Sequence, residues 1–256
     1  MIKSGLVSVS FRNKGVDEII SLVKEANLSC IEWGGDVHVP HGDTRKAKEV
    51  YKKTIEAGLI VAAYGSYFKA GESEESGLPF ERVLSSAKEL HAPTIRVWAG
   101  NKDSKDADLS YREKVVNDLI RIANISEKEN ISISLEYHIH TLTDSDDSTK
   151  RLMEEVNHNN ILFYWQPPVN LSLEDCKKGL KTVLPRLSNV HVYHWTYENG
   201  EYIRFPLIDG YSNWIEFFKL IKEYNKDHYA MLEFLKNDSE LQLIEDAKIL
   251  NKLINE

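Results

Sequence analysis

Eight short apolar runs alternate with eight amphipathic segments along this chain, and that rhythm restricts the fold more than any single motif. The runs are GLVSVSF (5–11), CIEW (30–33), LIVAAYG (59–65), TIRVWAG (94–100), ISISLEYH (131–138), NILFYW (160–165), NVHVYHW (189–195) and YAMLEF (229–234). They are short, rich in β-branched and aromatic residues, and bounded by turn formers, so they read as strands. Apolar residues at helical spacing predict helices over 16–28, 44–58, 79–92, 110–129, 147–158, 172–187, 212–225 and 238–254. Gly58 closes the second of these, Pro79 opens the third, and Pro185 bends the sixth. Eight strand–helix pairs in 256 residues are the number and length of a (β/α)8 barrel, read as one domain over 1–256. A doubly wound open sheet is the alternative, but it would more often show fewer strands and a Gly-rich first turn. Neither GxGxxG nor a Walker A sequence follows the first strands. After the seventh strand, HWTYENGEYIRF carries Asn199-Gly200 between β-formers and predicts a small hairpin insertion.

The charge balance narrows the partners. With 32 basic against 40 acidic residues the formal net charge is -8, whereas a nucleic-acid partner needs a concentrated basic face. No run approaches the roughly 18 apolar residues that span a bilayer, so no membrane partner is expected. Cys30 and Cys176 lack CxxC spacing and suggest reduced thiols, and the first residues lack a signal-peptide core. A cytoplasmic protein is the expectation. A homo-oligomer is left open.

In such a barrel, chemistry collects at the C-terminal ends of the strands. There the sequence places Glu32 and Trp33, then Asp36, His38 and His41; Tyr64 to Tyr67; Arg96 and Trp98; Glu136 and His138; Trp165 and Gln166; His191 and His194; and Glu233. Alternation along the fifth strand puts Ile131, Ile133 and Leu135 on one face and Ser132, Ser134, Glu136 and His138 on the other, inward one. On the fourth strand Ile95 and Val97 face out, which sends Arg96 and Trp98 inside. A buried glutamate must be paired or bound to a cation, so Arg96 could simply neutralise it. On the seventh strand alternation does not choose between the sets of His191 and His194. Two glutamates, an amide and an imidazole at one mouth form an oxygen-rich set with one nitrogen. That set suits Mn²⁺, Mg²⁺, Co²⁺ or a catalytic Zn²⁺ rather than a structural zinc.

These strand tips resemble those of the xylose isomerase-like TIM barrels, the sugar phosphate isomerases and epimerases, along essentially the whole chain. The resemblance implies a metal set of Glu, Asp, His and Glu after strands five to eight. LEYH then supplies Glu136, MLEF supplies Glu233, and VHVYH supplies His191, with Gln166 of YWQPP standing where the family usually has aspartate. The loss of that charge predicts weaker metal binding. The resemblance further implies a divalent-metal-dependent isomerase or epimerase of a small keto-sugar or polyol derivative. Glu136 and Glu233 would exchange protons through an enediolate. Glu32, His38, Tyr64, Arg96, Trp98, His138, His194 and, from the hairpin, Arg204 would surround the substrate. A dehydratase acting on a keto-inositol-like ring, or a non-catalytic sugar-binding member, fits the same motifs. The apurinic endonuclease branch would need further metal ligands that are not in place here.

Overall fold

Each apolar run can bury both of its faces, one inside a closed sheet and one beneath a helix, and it pairs accordingly. In the computed structural model, which describes residues 1–224 and 226–256, eight parallel strands form a closed barrel. Seven come first: β1 (Ile2–Val7), β2 (Cys30–Gly34), β3 (Ile60–Lys69), β4 (Thr94–Trp98), β5 (Ser132–Glu136), β6 (Ile161–Trp165) and β7 (Leu187–Val192). An antiparallel hairpin of β8 (Trp195–Glu198) and β9 (Glu201–Arg204) follows, and β10 (His228–Leu232) completes the barrel. Closure runs through β1, which pairs with β2 on one side and β10 on the other. The outer ring holds α1 (Val16–Glu25), α2 (Thr44–Glu56), α3 (Phe80–Glu89), α4 (Leu109–Glu127), α5 (Asp146–Val156), α6 (Leu173–Val183), α7 (Tyr211–Glu223) and α8 (Glu240–Asn255).

Packing separates the two faces of each strand. Ile95, Val97, Ile133, Leu135, Val190 and Val192 belong to the helix-side core. The residues between them turn inward, which decides the seventh strand in favour of His191. A smaller apolar cluster of Val7, Val9, Cys30, Ala62, Ala63, Tyr164 and Met231 fills the rest of the interior. Small residues make room there for long polar ones. A Cβ added at Gly65 would stand 2.6 Å from Glu32 Oε1 and 2.9 Å from Arg96 Nη2.

Several boundaries differ from the sequence reading, each for a local reason. The first strand spans Ile2–Val7 rather than 5–11, and Ser8–Phe11 winds into a 3-10 turn. Its serines serve loops: Ser8 Oγ accepts the Gly34 amide and Ser10 Oγ the Phe234 amide, both at 2.9 Å. β3 continues to Lys69 through a register break between Gly65 and Phe68, where Tyr67 takes φ +55°. β5 and β7 stop at Glu136 and Val192, leaving His138 and His194 in loops. α6 ends at Val183, and Pro185 lies in a separate 3-10 turn, Leu184–Arg186. Of the seventh expected helix, Asn225 lies outside the described residues. The hairpin turn is as read: Asn199 (φ +52°) and Gly200 (φ +88°) both occupy the left-handed region that a type I′ turn requires. Both cysteines are free and buried, and no described helix is long and apolar enough to cross a membrane.

Candidate metal centre at the barrel mouth

Arg96 is the pivot of the interior. Its Nε donates to Glu32 Oε1 at 2.7 Å and its Nη1 to Glu136 Oε2, which also accepts Trp98 Nε1. Tyr67 lays its ring 4.9 Å from the guanidinium carbon. Glu32 is fully buried, and its Oε2 takes the Tyr164 hydroxyl at 2.5 Å and faces His191 Nε2 at 3.3 Å. Unpaired, two such carboxylates would be prohibitively costly to bury; paired and hydrogen-bonded, they stay ionised. Burial pushes the Glu32 carboxyl up, but the charges of Arg96 and His191 more than offset this and hold it at about 2. Glu136 is likewise held well below the ordinary carboxylate range, because Arg96 outweighs its burial.

Above this base stands His191, whose two nitrogens have different company. Nε2 looks down to Glu32. Nδ1 looks up to three oxygens: Gln166 Oε1 at 3.1 Å, Glu233 Oε2 at 3.3 Å and Glu136 Oε1 at 3.5 Å. Burial pulls the imidazole pKa down, yet the charges of Glu233 and Glu32 raise it well above the usual histidine value. The three oxygens around Nδ1 thus favour a positive charge at this spot.

The donor set fits a divalent metal ion. Single ligand atoms of Glu136, His191 and Glu233 all lie within 4.8 Å of one another. Neighbouring ligands of an ion bound at about 2.1 Å sit roughly 3 Å apart, close to the separations around Nδ1. Glu32 completes the pattern from behind, since a ligating histidine ordinarily gives its other N–H to a carboxylate that fixes its orientation.

The other residues singled out in the sequence are distributed as follows. His138 is half-buried, and its ring stacks on Trp98 with centroids 4.7 Å apart. Its Nδ1 meets the Ile139 carbonyl at 2.6 Å. His38 lies in the loop after β2 with both nitrogens engaged, by Ser8 Oγ at 3.0 Å and the Lys14 carbonyl at 3.1 Å. Tyr64 is buried and donates its hydroxyl to the Val39 carbonyl at 2.8 Å. His194 lies in the loop after β7 and packs against Gly210 and Phe205. Arg204 pairs with Asp238 at 2.6 Å and covers the Phe234 ring. The structure therefore gathers Glu32, Arg96, Trp98, Glu136, Gln166, His191 and Glu233, with His138 beside them, and sets His38, Tyr64, His194 and Arg204 apart. One member was missed in the sequence: Tyr164 shares the inward set of β6 with Gln166, so alternation could have found it. Tyr67, at the tip of the third strand, reaches Arg96 through the strand irregularity between Gly65 and Phe68.

Comparison with known proteins agrees with this fold. A 3-dehydroshikimate dehydratase of Bacillus anthracis is 25% identical over 97% of this chain and 96% of its own length. The crystal structure of a Bacillus anthracis protein described as a probable 3-DHS dehydratase of petrobactin synthesis superposes with a TM-score of 0.79. The two are 21% identical, and the match covers 98% of this chain and 99% of that one. A D-allulose 3-epimerase from Methylomonas sp. shares the fold with a TM-score of 0.73 and 14% identity, over 98% of this chain and 97% of that one. The family model that matches, over residues 20–253, is described as the xylose isomerase-like TIM barrel. With that match over most of the chain, and the closed barrel and carboxylate–histidine mouth behind it, the chain belongs to the xylose isomerase-like TIM-barrel family.

Proposed function

We propose that this protein is an enzyme that removes a proton next to the carbonyl of a small polyhydroxylated ketone and expels the neighbouring hydroxyl as water. Dehydration of 3-dehydroshikimate, or of a cyclic β-hydroxy ketone like it, is the reading the geometry supports best. The observation that carries it is the unequal state of the acid–base groups. Glu136 spends Oε2 on Arg96 and Trp98 and turns Oε1 to His191, so it is a fixed carboxylate and a poor proton carrier. His138 is the opposite case. A carbonyl oxygen only accepts, so Nδ1 donates to Ile139, which leaves Nε2 as the ring nitrogen available to exchange a proton with substrate.

Elimination needs one group on one face: a base takes the α-proton, and its conjugate acid returns that proton to the departing hydroxide. The C–H electron pair becomes the new double bond, and the products are an enone and water. Epimerisation needs two proton carriers on opposite faces. A divalent cation held by Glu136, His191 and Glu233, with Gln166 beside them, would supply polarisation of the substrate carbonyl. Glu32 and Arg96 keep His191 and Glu136 in place during turnover, and Trp98 offers His138 a flat support. Ketose epimerisation by Glu136 and Glu233 is the second reading, favoured by the convergence of both carboxylates on His191 Nδ1.

The test is an assay of the Mn²⁺-supplemented protein on 3-dehydroshikimate, read by the absorbance of the conjugated product, beside a D-psicose epimerisation assay. The dehydratase reading expects product in the first assay only, and a loss of about 100-fold or more in kcat for His138→Asn. Epimerisation without dehydration would reverse the order of the two readings.

A further inference from the structure

The hairpin after β7 reaches both loops that flank His191. On one side, Asn170 grips Tyr197 twice: its Nδ2 donates to the Tyr197 carbonyl at 2.6 Å, and its Oδ1 accepts the Tyr197 amide at 3.0 Å. Tyr193 adds to this by stacking on Trp195, with centroids 3.8 Å apart, and by donating its hydroxyl to the Pro167 carbonyl at 2.8 Å. These contacts fasten the segment that begins at Gln166.

On the other side, the hairpin base fastens the segment that begins at Glu233. Trp195 and Arg204 are cross-strand partners. Trp195 Nε1 donates to the Phe234 carbonyl at 3.2 Å, and the Arg204 guanidinium lies 4.9 Å above the Phe234 ring while pairing with Asp238. Phe234 needs this support. It adopts φ +43°, a left-handed conformation that an aromatic residue rarely takes, and Asn237 and Asp238 follow at +59° and +48°. Such a backbone persists only where its surroundings over-determine it. Here the Phe234 amide goes to Ser10 Oγ, the carbonyl to Trp195, and the ring lies under Arg204. The preceding residue, Glu233, donates its amide to the Val192 carbonyl at 3.2 Å and places Oε2 3.3 Å from His191 Nδ1, so the braced Phe234 adjoins a candidate ligand directly.

We propose that the hairpin is a positioning device for the ligand set, with Trp195 and Arg204 holding Glu233 through Phe234. Arg204 thereby acts on the site through the backbone rather than by meeting an anionic group of the substrate. This rests on the functional reading above only in treating Glu233 as a metal ligand, not on the reaction catalysed.

Deleting the hairpin could unfold the barrel, so conservative variants test the idea. Trp195→Phe keeps the ring and removes the donor. Arg204→Lys keeps the charge and removes the flat cover over Phe234. Mn²⁺ affinity is measured by titration, and amide hydrogen exchange over residues 233–238 is measured in the metal-free protein. Each variant is expected to bind Mn²⁺ about tenfold more weakly, as loss of a supporting contact to a ligand typically does, and to exchange faster over 233–238. Wild-type affinity in both variants, or wild-type exchange in both, would overturn the proposal. If the wild type itself takes up no Mn²⁺, the ligand reading falls, and the exchange measurement decides the bracing alone.

Discussion

Gln166 lends the upper edge of the site a carbonyl oxygen and no charge, 3.1 Å from His191 Nδ1. Gln166→Glu changes that charge without changing length. It is expected to tighten Mn²⁺ binding by about tenfold, since affinity in oxygen-rich sites follows the ligand charge count. Unchanged affinity on titration would mean that residue 166 lies outside the ligand set. Gly65 makes the converse point about space. Gly65→Ala drives a methyl group against the Glu32–Arg96 pair, so it is expected to cost about 1–3 kcal/mol in urea unfolding and to loosen metal binding with it. A variant as stable as wild type would show that the pair can shift. Much of this was legible residue by residue. Glu136 and Arg96 stand out because alternation forces a charged side chain inward, whereas alternation left His191 and His194 open and only the family resemblance chose His191, which the packing of Val190 and Val192 on the helix side then supports. What was not legible is division of labour. No pattern in the sequence says that one Glu136 oxygen is shared by Arg96 and Trp98, or that Glu32 lies beneath His191 rather than in the pocket. Those facts depend on contacts between strands far apart in the chain.

Among the elements, α8 carries a titratable anchor. Asp246 is buried, and its Oδ1 accepts the Leu207 amide at 2.8 Å and Gln242 Nε2 at 2.9 Å, tying the turn Leu207–Gly210 to the helix. Burial raises its carboxyl to about 6, only partly opposed by those two donors. A carboxyl raised above its unfolded value, about 3.9, favours folding in its protonated form. That contribution is complete below pH ~4 and is lost as pH rises through about 6. Asp246→Asn keeps an oxygen for both donors and removes the charge. Its stability relative to wild type should therefore rise between pH 4 and pH 8, by ~1–3 kcal/mol, in urea unfolding at the two pH values. A difference that does not change with pH would show that Asp246 titrates normally. The elements themselves were readable because each strand is a bounded apolar run and each helix keeps its spacing. Their ends were less so. Ser8 and Ser10 continue an alternation that the chain uses for loop hydrogen bonds, and His138 continues one that stops at Glu136.

Across the whole molecule, charge and closure meet at the same place. The chain carries a formal net charge of -8, and its barrel interior concentrates Glu32, Glu136 and Glu233 around Arg96 and His191. Three carboxylates against one guanidinium leave -3 + 1 = -2 before His191 is counted, the charge that one divalent cation cancels. The candidate ligands come from β5, from the loop after β6, from β7 and from the end of β10, four consecutive positions around the closed sheet. A cation bound there cross-links half the barrel, and it has no comparable site in the unfolded chain. Binding to the folded state alone stabilises by ~2.7 kcal/mol at a hundredfold excess over Kd. For a chain of this size that corresponds to a rise in Tm of roughly 5–10 °C. Thermal unfolding followed with EDTA, and then with saturating Mn²⁺, should show that rise and its reversal on renewed chelation. Glu233→Gln should abolish most of the Mn²⁺-dependent rise, measured against its own metal-free Tm, because it removes one charged member of the ligand set. A Tm indifferent to Mn²⁺ would leave His191 and its carboxylates as an ion-pair network that holds the barrel together without a metal.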